Sequence, residues 1–150
     1  MAYLDNSATT RVCPEAVEAM VRCMREGFYN PSGVYRPAVD AFREVRACRE
    51  AVLKAVHGED CDLIFTSGGT EANNLAILGS VARMRGPQVV AVSAVEHPSV
   101  RESFEALRAR GHDVRVVGVT PAGELRWDEM ERALDDGASL VSCMQVNNET

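Results

Sequence analysis

Long apolar runs are missing from this chain, and so is any excess of positive charge. No stretch approaches the roughly 20 apolar residues that a membrane-crossing helix needs, and the N-terminus has no basic region followed by an apolar signal core. A cytoplasmic protein is therefore expected. Against 22 acidic residues there are 16 Lys and Arg, a formal charge of -6, and no long basic run. That balance argues against nucleic acid or an anionic membrane as principal partner. Segments such as Arg43-Glu44-Val45-Arg46 interleave bases with acids and read as solvated helix faces. Lysine is nearly absent, with Lys54 standing alone. Cys-x-x-Cys pairs are absent too. The cysteines (Cys13, Cys23, Cys48, Cys61 and Cys143) are odd in number and lie mostly at apolar-periodic positions, which favours reduced structural thiols over a disulfide framework or a metal site. There is no internal repeat, low-complexity segment or linker.

What is present is an ordinary globular balance. With 46% hydrophobic and 25% charged residues, 150 residues suffice for one sizeable core, hence one domain or part of one. Pro14 suits a first helical position, and Val17, Met20, Val21 and Met24 recur at helical spacing up to Gly27. Phe28 to Arg36, with Asn30-Pro31-Ser32-Gly33, has turn chemistry. A second helix is predicted over Pro37 to His57, with Ala38, Phe42, Val45, Val52 and Val56 on its apolar line, Arg49 in the gap and Gly58 closing it. From there the pattern alternates. Strands are predicted over Asp62–Thr66, Gln88–Ser93, Val114–Val119 and Ser139–Val146, and helices over Thr70–Arg85, Pro98–Arg110 and Trp127–Leu134, with a turn at Thr120–Glu124. Short β-branched strands separated by helices predict an α/β fold, a three-layer αβα arrangement around a mostly parallel sheet. Residues at the carboxyl ends of the strands should then gather at one edge.

Three polar blocks occupy such ends. Ile64-Phe65-Thr66-Ser67-Gly68-Gly69-Thr70-Glu71-Ala72-Asn73-Asn74 is an apolar run that breaks into a glycine turn and reopens as a helix. Its glycines permit a tight turn and close approach of an anion, and the N–H groups of Gly69, Thr70 and Glu71 would face outward at a helix N-terminus. An ordinary capped helix reads the same way. Val95-Glu96-His97-Pro98-Ser99-Val100 puts His97 at a helix start, where it is either a cap or a ring offered to a bound aromatic group. Val146-Asn147-Asn148-Glu149-Thr150 follows a strand, and its amides serve either a turn or a site. Asp5-Asn6-Ser7-Ala8-Thr9-Thr10, near the N-terminus, could be a polar lead-in to the Pro14 helix.

Taken together and in this order, the four blocks resemble the cysteine desulfurases, in the class V aminotransferase branch of the fold-type I pyridoxal phosphate (PLP) enzymes. The likeness runs over the whole chain. It implies the N-terminal half of a PLP-dependent transferase large domain over residues 14–150, preceded by a segment, residues 1–13, that lines the active site. It also implies that Gly69 and Thr70 bind the cofactor phosphate and that His97 stacks on the pyridine ring and takes part in proton movement. Asn148 would lie near the cofactor's phenolic oxygen and the substrate carboxylate, with Asn6 on the substrate side. Gly69 replaces an alanine common in the family, and Gly33-Val34-Tyr35-Arg36 stands where many relatives carry a histidine.

The activity implied is conversion of L-cysteine to L-alanine, with the sulfur passed as a persulfide to a protein acceptor such as an iron–sulfur scaffold, or to thiolation. The intact protein would be a homodimer. The family's cofactor-binding lysine and its persulfide-forming cysteine both lie beyond the Asn-Asn-Glu block, and Lys54, in the second helix, matches neither place. The chain is therefore expected to be a fragment and to be inactive alone. Selenocysteine lyase or aminotransferase chemistry remains open, as does a non-catalytic remnant that binds a partner through an uncovered strand edge.

Overall fold

The computed structural model describes residues 2–6 and 8–147. They fall into two units that divide between Phe65 and Thr66. The first holds two helices. Pro14 supplies the N-terminal turn of α1 (Pro14–Glu26), where a missing N–H costs nothing, and Gly27 ends it. An Asx turn follows, in which the Ser32 N–H donates to Asn30 Oδ1 at 2.9 Å and the Gly33 N–H to the Asn30 carbonyl at 2.9 Å. A Cβ on Gly33 would come within 2.8 Å of both the Ala38 Cβ and the Tyr35 ring, so only glycine lets this loop lie against the next helix. That helix is α2 (Arg36–Ala55). Ala38 is the single buried residue among the described residues of this unit. Ahead of α1, the Tyr3 hydroxyl reaches the carbonyls of Asp5 and Thr9, and the Thr10 hydroxyl donates to the Asn6 carbonyl.

The strand predicted over Asp62–Thr66 does not form. A strand exists only while a neighbour accepts and donates its backbone hydrogen bonds, and none lies beside these residues among those described. Arg49 takes that place instead: its guanidinium donates to the Leu63 carbonyl and lies 4.7 Å from the centre of the Phe65 ring. One carbonyl of the segment is thus met by a side chain from the polar gap of α2.

The second unit carries the sheet. Its elements are α3 (Gly69–Ala82), β1 (Val89–Ser93), α4 (Pro98–Ala109), β2 (Asp113–Val117), α5 (Trp127–Asp135) and β3 (Leu140–Ser142). All pairing among the strands is parallel in the order β2-β1-β3, with Val89 opposite Asp113 and Val90 opposite Leu140. Alternation along β1 divides the core. Val90 and Val92 pack with Ile77 and Val81 of α3 and with Val100, Phe104 and Leu107 of α4, whereas Ala91 packs with Val117, Met130 and Ala133 on the side of α5. Helices thus cover both faces, the predicted three-layer αβα arrangement. Phe104 and Leu107 are each 1% exposed, and burial of such a side chain contributes about 1.5–3 kcal/mol.

Two strands end earlier than predicted, at or before the level where β1 stops at Ser93. β2 ends at Val117, the partner of Ser93, and β3 ends at Ser142, the partner of Val92. Beyond β2, Val119 forms an isolated antiparallel bridge with Leu125 across the Thr120–Glu124 turn, in which Gly123 adopts φ +82°. The cysteines are free, as predicted, but all five are exposed, so they are not the core thiols their spacing suggested. Among the described residues no His, Cys, Asp and Glu side chains cluster as a metal site would require. No helix there is long and apolar enough to cross a membrane.

Candidate active site

The glycine turn before α3 leaves that helix start open. Gly68 is its N-cap, in an extended conformation, and no side chain caps it. The first intrahelical bond runs from the Ala72 N–H to the Gly68 carbonyl, so the N–H groups of Gly69, Thr70 and Glu71 precede the ladder. A Cβ added at Gly68 or Gly69 would meet nothing within 4 Å. The glycines therefore relieve no packing clash, and the backbone is approachable. Three outward N–H groups at the positive end of a 14-residue helix, with the exposed Thr70 hydroxyl beside them, form a donor set suited to an anion. Glu71 braces the turn. Its carboxylate accepts from the Ser67 N–H at 2.6 Å and the Ser67 hydroxyl at 2.7 Å, and these bonds, the backbone one first, hold its pKa below the ordinary carboxylate value.

The second helix start is built in the opposite way. His97 is the N-cap of α4, and its Nδ1 accepts the Ser99 N–H at 3.1 Å. Ser99 Oγ also lies 2.8 Å from Nδ1, and Asn73, one turn into α3, donates through Nδ2 to the same Oγ at 2.9 Å. The Asn73–Ser99 bond ties the two helix starts together. It brings the glycine turn and the histidine to the same edge, at the carboxyl end of β1.

The third block joins them through Glu96 and Asn147. Glu96 is 8% exposed, and its Oε1 accepts from the Ser93 hydroxyl at 3.4 Å and from the Ser142 hydroxyl at 3.1 Å, linking the ends of β1 and β3. Asn147 donates through Nδ2 to the Val95 carbonyl at 2.8 Å. The predicted convergence of the three blocks is therefore met as far as Asn147. Asn148, the predicted site amide, lies outside the described residues. Asn6 is an exposed residue of the first unit.

The side-chain roles of four supporting residues escaped the sequence reading: Glu71, Asn73, Glu96 and Ser99. Some signal was available for two of them. A serine four residues before a glutamate at a helix start is close to capping-box spacing, and a serine two residues after a histidine cap is where a cap's partner N–H lies. Nothing local marks Glu96, whose partner Ser142 is 46 residues away.

Comparison with known proteins accounts for this arrangement. Residues 2–150 match the model of the aminotransferase class-V family. A cysteine desulfurase of Trichormus azollae is 35% identical over 148 residues, covering 99% of this chain and 37% of its own length. One of Cereibacter sphaeroides is 39% identical over 150 residues, covering 99% of this chain and 39% of its own. Among solved structures, a NifS-like protein superposes with a TM-score of 0.87 at 33% identity, over 97% of this chain and 40% of that one. DndA from Streptomyces lividans superposes with a TM-score of 0.78 at 36% identity, over 99% and 42%. The chain thus spans well under half the length of the relatives it matches. An open glycine turn before one helix, a histidine at the start of the next and a match running from residue 2 to residue 150 agree on one conclusion: the chain belongs to the class V aminotransferase family.

Proposed function

We propose that these residues form the cofactor-side part of a PLP-dependent cysteine desulfurase, which converts L-cysteine to L-alanine and passes the sulfur on as a persulfide to an iron–sulfur scaffold or a thiolation pathway. The observation that carries this reading is the Asn73–Ser99 bond, which sets the open start of α3 beside the histidine-capped start of α4. The residues present fit PLP by their donor chemistry. Gly69 and Thr70 offer backbone N–H groups and a hydroxyl to a phosphate, and His97 offers an exposed imidazole face to a pyridine ring. When bound, PLP supplies the electron sink for bond breaking next to the amino group of the substrate.

In this proposal Gly69 and Thr70 hold the phosphate, and His97 covers the ring while holding a proton at Nε2, the nitrogen that the cap does not use. Asn148 orients the cofactor's phenolic oxygen and the substrate carboxylate, and the Asn147–Val95 bond anchors its neighbour in sequence to the histidine turn. Asn6, with the rest of residues 1–13, lines the substrate side, and residues 14–150 belong to the PLP-binding domain. The lysine that carries the cofactor and the cysteine that accepts the sulfur are proposed to lie outside these 150 residues. Lys54, near the end of α2, is exposed and belongs to none of the matched blocks. The intact enzyme is proposed to be a cytoplasmic homodimer without nucleic-acid or membrane partners.

Titration with PLP, followed through the 31P resonance of its phosphate, tests the binding half. Thr70→Val is expected to weaken binding roughly tenfold, the loss of one hydrogen bond to a charged group. Equal affinity of the two proteins would remove Thr70 from the site. The catalytic half is tested by supplying the missing segment of a class V relative and measuring sulfide released from L-cysteine. Release of alanine without sulfide or persulfide would point to another class V chemistry.

A further inference from the structure

The hydrogen bonds around His97 have a fixed polarity. A backbone N–H can only donate, so the Ser99 N–H at 3.1 Å requires Nδ1 to be the unprotonated, accepting nitrogen. With no proton on Nδ1, the Ser99 hydroxyl 2.8 Å away must be the donor in that contact as well. Its oxygen is then left to accept, and the Asn73 Nδ2 amide donates to it at 2.9 Å. Every member of the series Asn73 to Ser99 to His97 thus has one assigned role. Ser99 is itself buried, at 8% exposure, and its carbonyl is held by the buried Ser103 hydroxyl at 2.9 Å, which limits any rearrangement of the helix start.

We propose that Asn73 and Ser99 are positioning residues that fix His97 as its Nε2–H tautomer and hold the ring in one orientation at the edge of the sheet. The inference rests on the reading of His97 as the residue that faces the cofactor ring, and deepens it. With Nδ1 committed to the helix cap, the neutral imidazole presents a protonated Nε2, a hydrogen-bond donor, to whatever occupies the site. A base at Nε2 would need the proton on Nδ1, and so would need this series to reverse and the cap to open. The Ser99 N–H sets the direction, and Asn73, although it does not touch the histidine, reinforces it by donating to the serine oxygen and so leaving the serine hydrogen for Nδ1.

The test reads the proton directly. The protein is labelled with 15N-histidine, and ring spectra are recorded at mildly alkaline pH, where an ordinary imidazole is neutral. His97→Gln assigns the resonances against those of His57 and His112. In the wild type the one-bond proton coupling should sit on Nε2, with Nδ1 of pyridine type. Asn73→Asp replaces the amide donor by an isosteric acceptor, so the serine hydroxyl should turn toward residue 73, and Nδ1, left with the backbone N–H alone, should shift toward the resonance of an unbonded pyridine-type nitrogen while the proton stays on Nε2. The double variant Asn73→Asp, Ser99→Ala, with no hydroxyl to turn, should show the same Nδ1 shift as Asn73→Asp, whereas Ser99→Thr alone, retaining the hydroxyl, should keep the wild-type pattern. A proton on Nδ1 in the wild type, or a pattern unmoved by Asn73→Asp in a protein with a native-like amide spectrum, would overturn the relay. Addition of PLP separates this inference from the functional reading: a relay that behaves as stated while the His97 resonances ignore PLP leaves the relay standing and removes His97 from the cofactor site.

Discussion

Phe42 and Phe104 each lie on the apolar line of an amphipathic helix, yet Phe42 is 52% exposed and Phe104 is 1% exposed. The contrast holds for the units around them. In the second unit β1 offers two faces, and α3 and α4 cover Val90 and Val92 while α5 covers Ala91 and Val117. In the first unit the lines of α1 and α2, with Val17, Met20 and Met24 on one and Val45 and Val52 on the other, remain exposed, and among the described residues burial is confined to Ala38 under the Gly33 loop. Helical periodicity therefore specifies which face an element will bury when a partner is available, and says nothing about whether that partner lies among the same residues.

The largest effect expected from this contrast is at Phe104. Phe104→Ala removes a ring packed between α4 and the sheet and should cost about 3–5 kcal/mol, read as a lowered urea midpoint at unchanged slope. A cost under 1 kcal/mol would mean that the second unit is no better packed than the first. Next in size is the cap of α4. His97→Ala leaves the Ser99 N–H without its acceptor and should cost about 0.5–2 kcal/mol. Since α3 has no side-chain cap to lose, Thr70→Val should leave stability nearly unchanged while weakening phosphate binding. If both variants cost the same, the difference between the two helix starts is not energetic.

Legibility in the sequence follows the range of the interactions. The helix starts at Pro14, Pro98 and Trp127, the Thr120–Glu124 turn and the alternating strands of the second unit were all set by neighbours in the chain, and were readable. The failed strand at Asp62–Thr66 had the right residues and no ladder partner, which is a property of what lies beside it in space. The ends of β2 and β3 were misjudged for the same reason, since each depends on its register against β1, Val117 opposite Ser93 and Ser142 opposite Val92. At the candidate site the groups directly on the motifs, Gly69, Thr70 and His97, were named from the sequence. The groups that hold them were not, because Asn73–Ser99 and Glu96–Ser142 join residues 26 and 46 positions apart.

A smaller effect sharpens the comparison at the start of α3, where a carboxylate brace replaces a cap. Glu71 has its pKa lowered in the folded state by the Ser67 N–H and hydroxyl. The unfolded chain then binds more protons than the folded one through the carboxylate range, so stability rises with pH there. The contribution is present above the ordinary Glu value of about 4.3 and is lost as pH falls through the lowered folded value. Glu71→Gln should flatten that segment of the stability–pH curve by lowering stability at neutral pH while leaving the acid end little affected. An identical acid limb in the variant would show that the Ser67–Glu71 bonds do not persist in solution.

The smallest effect is the most direct check on the first unit. Phe42→Ser replaces a half-exposed ring on α2, and exposed substitutions of this kind change stability by about 0.5 kcal/mol or less. The same exchange at Phe104 would put a hydroxyl into the closed core of α3, α4 and β1, and should unfold the second unit. A Phe42→Ser cost near zero would establish that the apolar line of α2 stays open to solvent and that the fold of the second unit does not depend on it. A cost approaching that of Phe104→Ala, at equal protein concentration and with a single transition, would show that the line is covered in solution. In that case the comparison between the two phenylalanines would measure the reach of the described residues, since both helix faces would then be buried by the same hydrophobic term.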